Sequence, residues 1–331
     1  MASITEQYRI ITNGAGWSGH SSLGRIQFEG ADRISFLQGL LTNDVATLAP
    51  GRGVYAGYLT PNGRMLADII LIDREDTVMG LVGEGQGPAV ATRLDQLIFT
   101  EDVQVADVTP VFDEVFVTGG LAAAVVGQAV GLAGAELGAL DELGNVPFAG
   151  GFVLREGAST LPAYRIVFEA GAAGQIQQGL AAAGAIELEQ ELVTALRIEA
   201  GRARWGSELG EDVIPLEAGL LDRAVSTTKG CYVGQEIVIR ILHRGGGRVA
   251  KRLVTLAFPP SDEGAPRPEA GAALHADGAA AAAGRLTSVA YSPVRGAVVA
   301  LGYLQRDAAE VGRVVTVADS GATATVVDFA R

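Results

Sequence analysis

Apolar residues along this chain recur at two periods, and the change from one to the other divides it into strands and helices. Residues 26–28 read as a short strand. After Gly30, Ile34, Leu37 and Leu41 follow at helical spacing, with Asp32 placed to cap the helix. The stretch GVYAGYLTPNGRMLADIILIDREDTVMGLV holds two β-rich runs around PNGR. There Asn62 and Gly63 predict a tight hairpin with positive backbone angles, and 77–82 predicts a third strand.

Residues 88–99 read as helix and 103–118 as strand. Across the Gly/Ala-rich 119–185 the periodicity is weak, apart from AYRIVFEA as a strand and AGQIQQGLAAAG as a helix. EQELVTALRIEAG predicts a further helix ended by Gly201. A breaker-rich loop, 259–271, then precedes GRLTSVAYS, AVVALGYL, RVVTVA and TATVVDFA. These short strands between Gly, Pro and Asp turns predict a small closed or sandwich-like β domain.

At 331 residues the chain exceeds what one core usually holds, so two or three domains are expected. No apolar run is long enough to span a bilayer and no signal-peptide pattern opens the chain, so a cytoplasmic protein is expected. A net charge of −13 disfavours direct binding to nucleic acid or to an anionic membrane. The local exception is RILHRGGGRVAKR, 240–252, which reads either as a solvated turn or as an anion-binding rim in which Arg244 and Arg248 orient a partner. One cysteine and three dispersed histidines, His20, His243 and His275, make a structural zinc site an unsuitable reading, and no metal is expected beyond transient contact of a cluster with Cys231.

The familiar templates G-x-S-x-G, Walker A, H-E-x-x-H and C-x-x-C are missing. What stands out is TTKGCYVGQE, 227–236, which holds the lone cysteine. Cys231 reads as a small buried hydrophobe or as a reactive thiol whose thiolate Lys229 favours, while Gly230 and Gly234 free the backbone to approach a ligand. Glu199, near a helix C-terminus, reads as a solvated carboxylate or as the acceptor for a heterocycle's N–H groups. Tyr55 and Tyr58 read as sheet packing or as an aromatic face beside a flat ligand.

The segment KGCYVGQE resembles the signature of the YgfZ family, relatives of a mitochondrial iron–sulfur assembly factor. FLQGLLTNDV (36–45) and LRIEAGRARWGSELGEDVIPLEAGL (196–220) resemble the wider folate-binding superfamily that includes the aminomethyltransferase, or T-protein, of the glycine cleavage system. The resemblance implies an α+β T-protein-like fold of three domains around a central cavity. It divides the chain into a folate-binding region, 1–245, made of 1–118 with 190–245 and of 119–189, and a C-terminal β-barrel, 246–331.

It further implies tetrahydrofolate or a one-carbon derivative as cofactor. Glu199 would hydrogen-bond the pterin, Tyr55 would line the pocket, and Lys229 or Arg223 would meet the folate glutamate tail. Gly230, Tyr232, Gly234, Gln235 and Glu236 would form or close the pocket, Glu236 reading equally as a solvated strand-edge charge. Cys231 and Lys229 would be the reactive pair.

Aminomethyltransferases carry paired aspartates whose first member is catalytic; here Ala67 and Asp68 stand in their place. The expectation is therefore an accessory protein for assembly or repair of iron–sulfur enzymes, serving tRNA-modifying radical enzymes indirectly, with those enzymes or cluster-assembly proteins as partners. A folate-dependent one-carbon transferase using Asp68, and a non-catalytic scaffold, stand beside it.

Overall fold

The computed structural model describes residues 2–19, 23–276, 281–318 and 320–330, so His20 lies outside the described residues. Val54–Leu59, Met65–Asp73 and Val78–Glu84 are consecutive antiparallel strands. In Met65–Asp73 burial alternates residue by residue as far as Leu71. Ala67, Ile69 and Leu71 enter an apolar core shared with Phe36 and Leu37 of the helix Arg33–Leu40, whereas Asp68 and Ile70 face the other way. Leu23–Glu29 and Gln104–Asp107 complete this five-stranded sheet.

Two local expectations change. The hairpin turn runs over 60–64, closed by the Gly63 N–H on the Thr60 carbonyl and the Thr60 N–H on that of Arg64. Only Gly63 takes a positive φ, 71°, so Asn62 does not supply a left-handed residue. Asp32 precedes its helix, but its carboxylate accepts from the Asp102 N–H instead of capping it.

The run 103–118 divides between two sheets. Gln104–Asp107 pairs with Leu23–Glu29, a turn at Thr109–Val111 intervenes, and Phe112–Thr118 pairs with Ala163–Glu169. The second sheet thus draws Gly16–Ser18 and Phe112–Thr118 from the part assigned to the first unit. Its order is Ile186–Glu187, Gly16–Ser18, Phe112–Thr118, Ala163–Glu169, Gly151–Glu156, Asn145–Phe148. Ala122–Val130 and Ala173–Ala182 supply helical cover to its core; the first escaped the sequence because Ala, Val and Gly carry little periodic contrast.

The two sheets meet through Ile72, Met79 and Leu81 against Phe152, Leu154 and Val167. A buried ionic chain reinforces the joint: Glu114 contacts Arg25 of the first sheet at 3.3 Å and Arg165 of its own at 2.9 Å, and Arg165 also binds Glu156. Those carboxylates hold the Arg165 guanidinium charged against the desolvation that opposes it.

Lys251–Pro260, Ala297–Gln305, Gly284–Ser292, Ala273–Ala276, Val314–Val317 and Thr323–Phe329 close into a barrel in that order. The helix Gln190–Glu199 ends as expected, Gly201 adopting φ 67°. It stands between the sheets and the barrel, and Ala195 and Ile198 share one core with Tyr55, Met65, Val299 and Tyr303. No helix among the described residues is long and apolar enough to cross a membrane.

Candidate functional site

A cavity of about 520 Å³ opens where the two sheets meet the helix Gln190–Glu199 and the loop after it. Its walls come from residues far apart in sequence: Tyr55, Asp68 and Ile70 of the first sheet, Phe116, Glu156 and Arg165 of the second, Thr194 and Arg197 of the helix, and Arg202 to Ser207 of the loop. Trp205 lies against Gly83, where an added Cβ would sit 2.5 Å from the Trp205 Cβ. Glycine is what lets the indole approach that strand.

Strand pairing sets the polar centre. Gly57 is opposite Asp68, so Tyr55, two residues away on the same face, leans across without obstruction, and its hydroxyl donates to Asp68 Oδ2 at 3.0 Å. Asp68 Oδ1 is buried and has no hydrogen-bond partner among the described residues. Burial pushes the Asp68 carboxyl above its ordinary value, against the Tyr55 hydroxyl and Arg223, which both favour the anion. Burial, with the Asp68 charge beside it, likewise pushes the Tyr55 hydroxyl up, so it stays a donor.

The guanidinium of Arg223 lies 5.0 Å from the Tyr55 ring centroid. The FLQGLLTNDV segment holds it there through backbone contacts. Asn43 Nδ2 donates to the carbonyls of both Tyr55 and Arg223, at 2.8 and 3.0 Å. Thr42 Oγ1 donates to the Ala224 carbonyl and accepts from the Gly57 N–H. Arg223 and Arg202 both bind the carboxylate of Glu142, at 2.5 and 2.9 Å.

Of the residues singled out in the sequence, Tyr55, Asp68 and Arg223 line this cavity, and the others do not. Tyr58, three residues from Tyr55, points to the opposite core with Ala56 and Ala67, so the two tyrosines share no face. Glu199 turns to the barrel, accepting from the Ser292 hydroxyl, with its second oxygen buried and without a hydrogen-bond partner among the described residues. Burial pushes its carboxyl up, Ser292 and Arg295 opposing.

Lys229 points back into the protein, and its Nζ donates to the carbonyls of Gln38, Leu41 and Asn43 at 2.6 to 2.8 Å. Those bonds use all three ammonium protons, so the charge tethers the loop and has no N–H left for a thiolate or a glutamate tail. Desolvation brings its pKa down to about 8, Asp44 opposing.

Cys231 is exposed on the surface. Tyr232 is buried beneath Lys229 in the junction core, desolvation pushing its hydroxyl up to about 12. Gly230 meets open space. Gly234, at φ 83°, packs against the 60–63 turn, where a Cβ would lie 2.6 Å from the Thr60 carbonyl oxygen. Gln235 reaches the Gly230 carbonyl only at 3.5 Å, and Glu236 is an exposed residue in the first turn of the helix Gln235–His243, not a strand-edge charge.

Glu142, Arg165, Glu156 and Phe116 had no sequence signal as site residues: Glu142 and Glu156 lie in weakly periodic sequence, and Phe116 and Arg165 in runs that read simply as strands. Arg202 and Trp205 sat inside the quoted segment 196–220, which marked the region without marking them. No cluster of three or more His, Cys, Asp or Glu side chains among the described residues is arranged to hold a metal ion.

Comparison with known proteins accords with this architecture. The GCVT N-terminal domain model matches residues 1–229, and the glycine cleavage T-protein C-terminal barrel domain model matches 251–329. The chain is 27% identical to the aminomethyltransferase of Nostoc sp., over 94% of this chain and 82% of that protein. It is 28% identical to that of Moorella thermoacetica, over 97% and 86%. The crystal structure of the glycine cleavage system aminomethyltransferase T from Bartonella henselae superposes with a TM-score of 0.85 at 23% identity, covering 98% of this chain and 88% of that one. With both family domains matched in order, around a cavity bounded by the first, the chain belongs to the aminomethyltransferase-like family of glycine cleavage T-proteins.

Proposed function

We propose that this protein binds a reduced folate in the central cavity and, with the exposed Cys231 loop, supports assembly or repair of iron–sulfur enzymes, tRNA-modifying radical enzymes among them. The observation that carries the folate half is the free Oδ1 of Asp68. A buried carboxylate oxygen without a donor is costly, and the amino and ring N–H groups of a pterin supply donors of the required kind. Tyr55 fixes the carboxylate's orientation, Phe116 and Trp205 offer aromatic surface, and Arg202 and Arg223 offer cations for a carboxylate tail.

The accessory role draws on the KGCYVGQE resemblance and on where the fold puts it. The thiol is presented at the surface, beside a helix whose end exposes Arg240, Arg244 and Arg248 to a partner protein. Two measurements test the proposal. Anaerobic calorimetry with tetrahydrofolate should show binding. In a strain lacking the protein, wild type but not Cys231→Ser should restore iron–sulfur enzyme activity; full rescue by Cys231→Ser would sink the accessory role.

One observation favours a second reading, folate-dependent one-carbon transfer. Residue 67 faces the apolar core, so a carboxylate there would not reach the cavity, and Ala67 therefore does not argue against acid–base chemistry. Asp68 does reach it, and when bound the folate would supply the one-carbon unit while Asp68 held or moved a proton at its free oxygen. Turnover of methylene-tetrahydrofolate with an amine acceptor by purified protein would favour this reading; a stable complex without turnover would favour the first.

A further inference from the structure

The two arginines offered to the cavity are already occupied by a carboxylate of the protein itself. Glu142 Oε1 binds Arg223 Nη2 at 2.5 Å and Glu142 Oε2 binds Arg202 Nη2 at 2.9 Å, at the cavity rim, where the Glu142 side chain is 37% exposed. Burial opposes its ionisation, but Arg223 and Arg202 outweigh it and hold the carboxyl below its ordinary value.

Two further features show that this contact is built into the fold. Leu143, the next residue, has φ 67°, a left-handed conformation unusual for a leucine. It is held by its N–H on the Arg155 carbonyl and by its own carbonyl, which accepts from the Gly53 N–H. Across the rim stands Gly157, where a Cβ would lie 2.5 Å from Arg202 Nη2 and 2.8 Å from Glu142 Cδ. The backbone is strained on one side of the triad, and on the other the Gly157 carbonyl accepts from Arg202 Nε at 2.9 Å and fixes that guanidinium.

We propose that Glu142 is a built-in competitor for the anionic tail of the cavity's ligand. The proposal rests on the folate reading and adds a selection rule to it. Glu142 holds one Nη2 of each guanidinium and balances their charge, so a tail carboxylate drawn to the pair competes with it. Ligands with more tail carboxylates therefore pass the rim better than those with few, while a pterin without a tail is indifferent to Glu142. The displaced carboxylate moves toward solvent, which its partial exposure permits.

The test is anaerobic calorimetry on the full chain, wild type and Glu142→Gln, with two probes: tetrahydrofolate and 6-methyltetrahydropterin, which lacks the glutamate tail. The expected result is tetrahydrofolate binding several-fold to about tenfold tighter in E142Q, the range of one displaced charge pair, with pterin affinity unchanged. Equal losses for both probes would make Glu142 a structural residue and overturn the proposal, as would an unchanged ratio of the two affinities. If neither protein bound either probe, the folate reading itself would fall, and the competitor role with it.

Discussion

Asp68 shows what a single residue gives up at a site. Its folded-state pKa lies above the ordinary carboxylate value of 3.8, burial being the main cause, so between those two values the native chain holds a proton that the unfolded chain has lost. Stability therefore falls as pH rises through that window, and above it the ionised carboxylate costs stability. Asp68→Asn keeps the shape and an acceptor for Tyr55 while removing the charge. Its melting temperature should exceed that of wild type at neutral pH, and the gain should shrink on acidification toward pH 4. Its affinity for tetrahydrofolate should fall by roughly tenfold or more, a charged hydrogen bond being worth about 1.5–3 kcal/mol. A melting series across pH with paired titrations reads both; a less stable variant with unchanged binding would make Asp68 merely structural. The sequence made Tyr55 and Arg223 legible through resemblance and held Asp68 in reserve. It set Glu199 at the pterin, whereas the folded chain turns that carboxylate to Ser292 of the barrel, because a side chain at the helix end can face cavity or barrel and periodicity does not distinguish them.

Among elements, the least legible was Gln235–His243. Ile237, Val238, Ile239 and Ile241 are β-branched residues of high strand propensity, yet with Leu242 they form a helix whose Val238, Ile241 and Leu242 pack on the junction core. Gly234 starts it from a left-handed conformation, and the adjoining turn leaves no room for a side chain. That steric demand, rather than ligand approach, is the physical reason for the second glycine of KGCYVGQE. Gly234→Ala should cost about 1–2 kcal/mol for the backbone conformation alone, and more for the contact with Thr60, as measured by urea unfolding. A cost below 0.5 kcal/mol, the range of ordinary surface changes, would mean the turn yields. The helix Gln190–Glu199 yields the opposite kind of prediction. Glu199 puts a half-buried carboxylate at the negative end of a helix, an unfavourable place for an anion. Glu199→Gln can keep the Ser292 contact and should be more stable than wild type at neutral pH, with tetrahydrofolate affinity unchanged in the same calorimetry. Loss of binding would restore Glu199 to the pocket.

At the scale of the molecule, the barrel was legible because its short strands are punctuated by turn residues, and the three-part plan because quoted segments carry a family likeness. The division between the sheets was not. Val105 and Val115 belong to similar β-rich runs, and which sheet each joins depends on partners such as Phe28 and Ile166, far away in sequence. The cavity exists only where those distant choices meet, from Ser18 to Arg223, so an unfolded chain has no equivalent of it. A ligand there stabilises the fold by mass action, about 2.7 kcal/mol at a hundred times Kd, which for a chain of this size is a melting shift of roughly 4 °C. No described barrel residue lines the cavity, but the barrel is tied to the wall directly behind it. Arg197 binds both Glu208 and Ser288, Ser288 donates to Glu208, and the Tyr303 hydroxyl donates to the Glu208 carbonyl. Scanning calorimetry with saturating tetrahydrofolate should therefore move one cooperative transition upward as a whole. If the trace splits and only one part moves, the barrel is an independent unit, and the Arg197–Glu208–Ser288 contacts do not carry the coupling assigned to them.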